Sequence, residues 1–318
     1  MVEGAGAMSP EASAPYSDFF IYKSALLRRL AFTAISLSGI PWMMRRTLQR
    51  NRATIILYHE IGPELFKDQV LALRSRYNII PLRQLVEVLE GRAQLPPRAL
   101  VITFDDGHAS NHLLLPSIRE LGVPVSVFLC SGIVGTGRRF WWSAVPSKSE
   151  IHRLQMMPNR ERLAVLRDRY GFEERSEDAG RVALSYAEVR EMLGVVDFQS
   201  HTRMHSILTS CDEDEAEDEI FGSKGELGER FGIDAIALAY PDGYYDEREI
   251  RLLQKAGYRC ALTLDPAYVR KGSDPHRLGR FCLSDDGGTA ELLVKASGLW
   301  AFARMLVSRA TSRGKVGE

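Results

Sequence analysis

The chain has 318 residues, of which 45% are hydrophobic and 26% are charged, a composition typical of a globular protein with ample apolar material for a core. The 41 basic and 41 acidic residues balance, so no overall field attracts nucleic acid, and we expect no nucleic-acid partner. The four cysteines are far apart and follow no C-x-x-C spacing, which favours packed thiols in a reducing, cytoplasmic compartment.

Residues 1–50 are predicted to be an extension that precedes the folded domain. Its start, up to about Asp18, is rich in Gly, Ala, Ser and Pro and is predicted to be disordered. An apolar helix follows at Leu26 to Met44, but its uncharged part from Leu30 onward is shorter than the roughly 20 residues that a membrane-spanning helix needs. Basic residues on both sides suit peripheral contact of residues 26–46 with a membrane surface. Packing of this helix against the domain is the alternative, and both interpretations stay open.

Strand-like and helix-like segments alternate from Ala53 onward. The predicted strands are Thr54–Leu57, Ala99–Phe104, Pro124–Leu129, Val195–Gln199, Ala235–Tyr240, Arg259–Leu264 and Leu278–Leu283. The predicted helices are Leu82–Leu89, Leu113–Leu121, Tyr186–Leu193 and Glu247–Ala256, with a charged helical insertion near 147–178. About seven strands alternating with helices predict an α/β domain over residues 51–300. Its parallel sheet is open or closed into a barrel, and a C-terminal tail follows at 301–318.

An acid-rich run extends from Asp212 to Glu219. It is predicted to open a helix, because negative charge near a helix start complements the exposed backbone N–H groups. We interpret the run as a solvated helix face rather than a metal site.

Two adjacent carboxylates, Asp105 and Asp106, follow the Ala99–Phe104 strand, and Gly107 then allows a sharp turn. Because successive side chains alternate in direction along an extended chain, the two acids cannot point the same way. One can bind a cation while the other acts as a general base, which is the division of roles that a metal-dependent hydrolase needs. A turn with two solvated aspartates is the alternative when this motif is taken alone.

Polar side chains also follow other predicted strands, at His59, His201, Asp242 and Asp265. In parallel α/β barrels the active site lies at the carboxyl ends of the strands, so we expect these groups to converge with the two aspartates. An ordinary turn accounts for a single polar residue at the end of a strand, but it accounts poorly for several that converge.

The segment His201–His205 places two imidazoles four residues apart. If the chain turns helically there, both lie on one face and reach one ion; histidines satisfied within a loop are the alternative. Together with Asp106 they form a set that leaves positions open for water and substrate. We therefore expect one divalent ion at Asp106, His201 and His205, with zinc as the first choice and cobalt, nickel or manganese as alternatives.

Three motifs, in this order, resemble those of the polysaccharide deacetylase family with the NodB homology domain: Thr103–Gly107, His201–His205 and Ala239–Gly243. The resemblance covers approximately Ala53 to Leu283. It implies a distorted (β/α) barrel of about seven parallel strands and metal-dependent removal of acetyl groups from N-acetylated sugars.

The same resemblance implies roles for individual residues. By the motif match, Asp105 would be the catalytic base, and the metal ligands would be Asp106, His201 and His205. Tyr58–His59 at the first strand and Phe140–Trp142 before the insertion resemble the bacterial exopolysaccharide-associated branch of the family.

The third motif departs from the family's usual pattern. Ala239 stands where the family often has an arginine that orients the base, and Asp242 stands where it usually has an aromatic residue. The backbone N–H of Asp242 is retained for oxyanion stabilisation, although its carboxylate would be unfavourable there unless it points away. Arg280 on the last predicted strand is expected to replace the arginine and to pair with Asp105. A surface position for Arg280 is the alternative.

No Leu-x-x-His segment matches the family's catalytic acid, which leaves His59 and His276 as candidates. An imidazole suits the role because it donates a proton near neutral pH. His59 ends the first strand, on the rim where Asp105 lies, whereas His276 precedes the last strand and lies near the opposite end. We prefer His59 as the acid; orientation of a metal ligand is its alternative role.

Four aromatic side chains near the motifs are candidates for stacking on sugar rings: Trp141, Trp142, Tyr244 and Tyr245. Packing in the core is the alternative for each of them.

Three functions compete. The first is metal-assisted hydrolysis of N-acetyl groups on a sugar polymer or its lipid-linked precursor, with Asp105 deprotonating the attacking water. The second is hydrolysis of another non-peptide C–N bond, and the third is a catalytically impaired carbohydrate-binding module with the same fold. Acetate release from N-acetylated glycans separates the first from the other two.

Overall fold

The computed structural model describes residues 25–314, so the predicted disordered start, up to about Asp18, lies outside the described part. The strands are β1 (Ala53–Tyr58), β2 (Asn78–Ile79), β3 (Ala99–Phe104), β4 (Ser126–Leu129), β5 (Asp197–Ser200), β6 (Ala237–Ala239), β7 (Cys260–Leu262) and β8 (Phe281–Cys282). The α-helices are α1 (Ala25–Leu37), α2 (Ile40–Arg46), α3 (Pro63–Arg74), α4 (Leu82–Leu89), α5 (Leu115–Leu121), α6 (Lys148–Gln155), α7 (Asn159–Tyr170), α8 (Tyr186–Met192), α9 (Glu213–Glu217), α10 (Ser223–Phe231), α11 (Glu247–Lys255), α12 (Thr289–Ala296) and α13 (Leu299–Gly314).

The strands form one curved parallel sheet in the order β7-β6-β5-β4-β3-β1-β8, and the short β2 pairs with the start of β3. The chain just before β8 reaches the far edge, where Leu278 forms a parallel bridge with Leu262 of β7. The sheet therefore curves round towards closure. The predicted fold class, an α/β distorted barrel of about seven parallel strands, is confirmed, and each predicted strand has an observed counterpart.

Strands β1 and β3 lie at the centre of the core, and every residue of both is buried. Their apolar, β-branched composition suits a parallel strand that is covered on both faces. Ile55 and Val101 pack in one cluster with residues of β6 and β7, while Ile56 and Ile102 pack in another with residues of α3 and α5. The alternation of side chains thus separates the inside of the barrel from its helical layer.

Helix α4 covers the amino-terminal end of the barrel. Its apolar residues join the inner cluster, and Arg83 pairs with Asp197 at the start of β5 at 2.8 Å. The opposite, carboxyl end of the strands is where the predicted site residues lie.

The apolar helix predicted at Leu26–Met44 is two helices, because Gly39 has a φ of 79° and ends the helical path between α1 and α2. Helix α1 packs on α12 with Phe32 buried. Within residues 25–314, none of the helices combines the length and apolar character needed to cross a membrane.

The insertion near 147–178 contains α6 and α7, and α13 occupies most of the predicted C-terminal tail. Helices α3 and α12 and strand β2 have no counterpart among the predicted elements. Phe66, Val70 and Leu73 are buried on α3 at helical spacing, so the apolar periodicity of the sequence does indicate this helix. Strand β2 is only two residues long and has no periodicity to detect.

A close backbone approach holds the segment before β8 in place. A Cβ at Gly279 would lie 2.3 Å from the Asp265 carbonyl oxygen, and the next N–H, of Arg280, donates to that same oxygen at 3.1 Å. We predict that Gly279→Ala lowers the free energy of unfolding by about 1–3 kcal/mol through overpacking, measured by urea denaturation. Gly180→Ala is the control, because a Cβ at Gly180 meets no atom within 4 Å. Equal stability of the two variants would contradict the prediction.

Candidate active site and metal centre

A cleft of about 340 Å³ lies at the carboxyl ends of the strands. Its lining residues are His59, Glu60, Asp106, His108, Trp141, Trp142, Ile151, Gln155, His205 and Asp242. They come from the segments after β1, β3, β4, β5 and β6 and from the insertion. The parallel arrangement brings these ends together, so residues distant in sequence share one cleft.

Asp106, His201 and His205 form a buried cluster in which one ligand atom of each lies within 4.8 Å of the others. Asp106 Oδ1 is 3.4 Å from His201 Nε2 and 3.3 Å from His205 Nε2. The two histidines converge without the helical turn that the sequence analysis considered. The segment is a loop in which Thr202 and His205 have positive φ angles of 66° and 57°. Such angles are costly for residues other than glycine, so the surrounding contacts must hold the loop in this form.

The donor atoms of this cluster fit a metal ion. His201 Nδ1 donates a hydrogen bond to the carbonyl oxygen of Ala239 at 2.8 Å, which leaves the lone pair of the neutral ring on Nε2. Asp106 Oδ1 is buried and accepts no hydrogen bond from the described residues. Two lone-pair atoms that face each other in a buried site require a shared proton or a cation, and two imidazoles with one carboxylate suit a divalent ion.

The protonation states of Asp106 and His205 also suit metal binding. Burial would lower the pKa of His201, but the carboxylates of Asp105 and Asp106 raise it, so a metal ion would compete with a proton for this ring. Burial alone would raise the pKa of Asp106, but its contact with His108 and the neighbouring imidazoles of His201 and His205 outweigh burial and hold that pKa well below its usual range. Burial lowers the pKa of His205 to about 4, so this imidazole is neutral at pH 7. An ionised carboxylate and a neutral imidazole are the forms that bind a metal ion.

His108 was not among the predicted site residues. Its Nε2 lies 3.0 Å from Asp106 Oδ2, the carboxylate oxygen that does not face the two other histidines. This contact fixes the orientation of Asp106, as polar partners of metal ligands commonly do. The only sequence signal was the position of His108 directly after the Thr103–Gly107 motif.

Asp105 and Arg280 form a buried ion pair beside the cluster. Arg280 is 0% exposed, and its two terminal nitrogens donate to Asp105 Oδ1 and Oδ2, each at 2.8 Å. Arg280 Nε donates to the carbonyl oxygen of Thr263 at 3.1 Å. Burial would raise the pKa of Asp105, but Arg280 and His201 outweigh it, so that pKa is lowered and the carboxylate is ionised. The structure thus places Arg280 against Asp105, as expected from the sequence.

Glu219 holds the loop that carries the two histidines. Its carboxylate accepts hydrogen bonds from the N–H groups of Arg203 at 2.7 Å and Met204 at 3.0 Å, and from Ser206 Oγ at 3.1 Å. The interpretation of the Asp212–Glu219 run as a solvated face is wrong for Glu219, which is 7% exposed. Burial raises the pKa of Glu219, although these hydrogen bonds oppose the shift.

The two candidate acids lie at opposite ends of the barrel. His59 is half-buried and lines the cleft, and its backbone N–H donates to Asp285 Oδ1 at 3.1 Å. The ring of His276 is buried, with its Nε2 3.2 Å from the carbonyl oxygen of Tyr258, just before β7. His276 therefore lies away from Asp105 and Asp106.

The four predicted aromatic contacts fall into two groups. Trp141 and Trp142 line the cleft, and the ring of Trp142 lies 4.3 Å from that of His205. Tyr245 instead stacks on Tyr240, with ring centres 4.8 Å apart, and donates a hydrogen bond to Asp265 at 3.2 Å.

Tyr244 is the fourth of these aromatic side chains, and it packs against the hydrophobic cluster of the insertion. Tyr244, Tyr245 and Asp265 are thus absent from the residues that line the cleft. Core packing accounts for both tyrosines, which is the alternative that their sequence context left open.

Asp242 occupies a strained turn at the cleft. Its φ angle is 54°, and its Oδ2 atom is buried without a hydrogen-bond partner among the described residues. The carboxylate therefore lines the cleft rather than pointing out to solvent.

These features define the class of protein. A parallel α/β barrel with a buried carboxylate–imidazole cluster beside a second, arginine-paired carboxylate, all at the strand rim, has the architecture of a hydrolase site that is compatible with a metal ion. Residues 92–261 match the polysaccharide deacetylase family, and the chain belongs to that family.

Individual relatives are distant in sequence. The chain is 22% identical to the poly-beta-1,6-N-acetyl-D-glucosamine N-deacetylase of Staphylococcus epidermidis over 74% of this chain and 72% of the relative. It is similar in structure to the Streptococcus pyogenes deacetylase PplD, with a TM-score of 0.59, 17% identity, and coverage of 78% of this chain and 99% of that one. It is also similar to IcaB from Ammonifex degensii, with a TM-score of 0.58, 19% identity, and coverage of 78% and 98%. These structures support the fold.

We predict that Glu219→Ala weakens zinc binding by roughly 10–100-fold, because it releases the loop that carries two of the proposed ligands. The variant also leaves two buried N–H groups without an acceptor, which lowers the free energy of unfolding by about 1–3 kcal/mol. Isothermal titration with zinc and urea denaturation measure the two effects. Asp214→Ala, an exposed position in the same acidic run, is the control. A folded Glu219→Ala variant with unchanged zinc affinity would contradict this role.

Proposed function

We propose that this chain is a metal-dependent N-deacetylase of a polymer of N-acetylated sugar, or of its precursor. The observation that carries the proposal is the convergence of Asp105, Asp106, His201 and His205 in one buried cluster at the strand rim. The family supplies the reaction class, and the name of the Staphylococcus epidermidis relative suggests poly-N-acetylglucosamine as the substrate class. A cytoplasmic location stays a prediction.

Asp106, His201 and His205 are proposed to hold one divalent ion. Zinc is the proposed ion, with cobalt, nickel or manganese as alternatives, because mixed imidazole and carboxylate ligation suits all four. When bound, such an ion supplies Lewis-acid polarisation of the acetyl carbonyl and activation of water.

Asp105 is proposed as the general base. Its pairing with Arg280 fixes the direction of the carboxylate and keeps it ionised, so it is ready to accept a proton from water at neutral pH. The Thr263 carbonyl and the close approach at Gly279 hold Arg280 in turn. We propose that Arg280, from the segment before β8, replaces the arginine that Ala239 does not provide.

His59 is proposed as the acid that protonates the leaving sugar amine. It lines the cleft on the same rim as Asp106 and His205, whereas His276 is bonded at the other end of the barrel. The backbone N–H of Asp242 is proposed as an oxyanion donor. Trp141 and Trp142 are proposed to contact the sugar, while Tyr244 and Tyr245 have packing roles.

The position of the Asp242 carboxylate is the observation that favours a different function. A carboxylate lining the cleft opposes a developing oxyanion, which would suit a carbohydrate-binding module that no longer turns over. Hydrolysis of another non-peptide C–N bond is the other competing function.

Acetate release separates these functions. The purified chain, loaded with zinc, is incubated with poly-β-1,6-N-acetylglucosamine, with chitooligosaccharides and with a small cyclic amide, each with and without a chelator. The proposal expects acetate from a glycan and its loss with chelator. Glycan binding without acetate release would support the binding module, and turnover of the cyclic amide alone would support the other hydrolase.

We predict that Asp105→Asn reduces turnover by roughly 10²–10⁴-fold, the usual contribution of a general base, while the bound metal and the fold are retained. Acetate release, elemental analysis and circular dichroism measure the three properties. Asn keeps the size of the side chain and can still accept a hydrogen bond from Arg280. Loss of the metal in this variant would show that the roles of Asp105 and Asp106 are exchanged.

We predict that His59→Gln removes the alkaline limb of the pH–rate profile, since that limb reports deprotonation of the catalytic acid. The metal content should stay unchanged, because His59 is outside the proposed ligand set. His276→Gln is the matched control and should keep the full bell-shaped profile. A bell-shaped profile in His59→Gln, together with a lost limb in His276→Gln, would reverse the assignment.

A further inference from the structure

Exposed apolar side chains are concentrated on the first two helices. Of the 13 large hydrophobic side chains that are exposed within the described residues, eight lie between positions 26 and 48. Leu26 is 66% exposed, Leu30 57%, Leu37 80% and Trp42 56%. Such a concentration on one element indicates a surface that contacts something apolar.

The inner side of the same helices is already packed on the domain. Phe32 of α1 is 2% exposed, and its ring centre lies 5.1 Å from that of Trp300. Arg28 forms ion pairs with Asp286 at 3.0 Å and with Glu291 at 2.9 Å. Helix α1 is therefore fixed in orientation, with its outer apolar side chains exposed.

A cavity of about 370 Å³ with a strongly basic lining adjoins the end of α2. It is lined by Arg45, Arg46, Arg50, Pro97 and Arg98. Within the described part of the chain, none of these four arginines forms an ion pair with a carboxylate. Four guanidinium groups around one cavity repel one another unless an anion lies among them.

The sequence around this cavity reinforces its charge. Positions 19–59 contain no Asp or Glu, while six arginines occur between positions 28 and 52. Arg46 also lies 5.3 Å from the ring centre of Trp42, so the basic and apolar parts of the surface are contiguous.

We propose that the outer side of α1 and α2, together with this four-arginine cavity, is a docking site for an anionic phospholipid membrane. The apolar side chains would enter the boundary between headgroups and acyl chains, and the arginines would bind lipid phosphates. The inference concerns lipid binding and is independent of the proposed deacetylase activity.

A second copy of this chain fits the same surface poorly. A two-fold symmetric contact pairs a patch with itself, so it would bring the same arginines together without carboxylates to neutralise them. A bilayer of anionic lipid supplies both the apolar depth and the negative charge that this surface lacks.

The first turn of α1 lies on the active-site side of the barrel. Arg28 on α1 pairs with Asp286, and the preceding residue, Asp285, accepts the hydrogen bond from the backbone of His59. The start of α1 thus lies near the active-site rim, whereas the four-arginine cavity, with Arg50 and Arg98 shortly before β1 and β3, lies at the amino ends of the strands.

Vesicle co-sedimentation of the full chain tests the site. The vesicles are phosphatidylcholine alone or roughly equal parts of phosphatidylcholine and phosphatidylglycerol, at low and high salt. We expect binding to the anionic vesicles that weakens with salt. Leu30→Ser/Trp42→Ser should lower the partition coefficient roughly tenfold or more. Arg46→Glu/Arg50→Glu should lower it by at least about tenfold on anionic vesicles.

Matched controls distinguish binding through this site from non-specific binding to vesicles. Leu113→Ser removes an apolar side chain that is 59% exposed on another element, and Arg251→Glu reverses an exposed charge on α11. Both should bind vesicles like the wild type, and acetate release from soluble glycan should be unchanged in all variants. Failure of the wild-type chain to bind anionic vesicles, or unaltered binding by both docking-site variants, would overturn the proposal. So would a dimer that Leu30→Ser/Trp42→Ser dissociates while vesicle binding persists.

Discussion

Burial of two adjacent carboxylates at the end of one strand is the constraint on which the rest of this site depends. Asp105 is 3% exposed and Asp106 is 4% exposed, and a buried carboxylate is stable only when its charge is compensated. Asp105 is compensated by the guanidinium of Arg280. Asp106 is surrounded by imidazoles and keeps one oxygen without a hydrogen bond from any described residue, the position in which a cation fits.

The parallel barrel offsets the cost of burying these two charges, because it brings compensating groups from distant parts of the chain to one rim. Arg280 comes from the segment before β8, and His201 follows β5. Neither group is held by its own strand alone. Arg280 is fixed by Thr263 and by the close packing at Gly279, and the loop after His201 is fixed by Glu219. Groups outside the proposed catalytic and metal-binding set thus fix the geometry of the groups within it.

The sequence predicted what depends on local pattern. Continuous β-branched runs identified the central strands, and spacing identified the carboxylate and imidazole motifs. What it missed depends on long-range packing: Glu219 is one acid in an otherwise exposed acidic run, and only the fold shows that it is buried under the histidine loop. The loop between His201 and His205 depends on packing in a related way, since tertiary contacts hold positive φ angles there that local spacing does not indicate. Tyr245 is an aromatic residue of the kind that stacks on sugar rings, but in the fold it packs on Tyr240.

Calorimetric titration of the metal-free chain with zinc tests the central claim most directly. If Asp106, His201 and His205 form the metal centre, the wild-type chain and the His152→Ala control bind about one ion per chain, while His201→Ala loses that binding. His152 lies on α6 in the insertion and contacts Gln155. Its replacement therefore controls for the general effect of removing an imidazole near the cleft. Equal zinc binding by His201→Ala and His152→Ala would contradict the assignment of the metal centre.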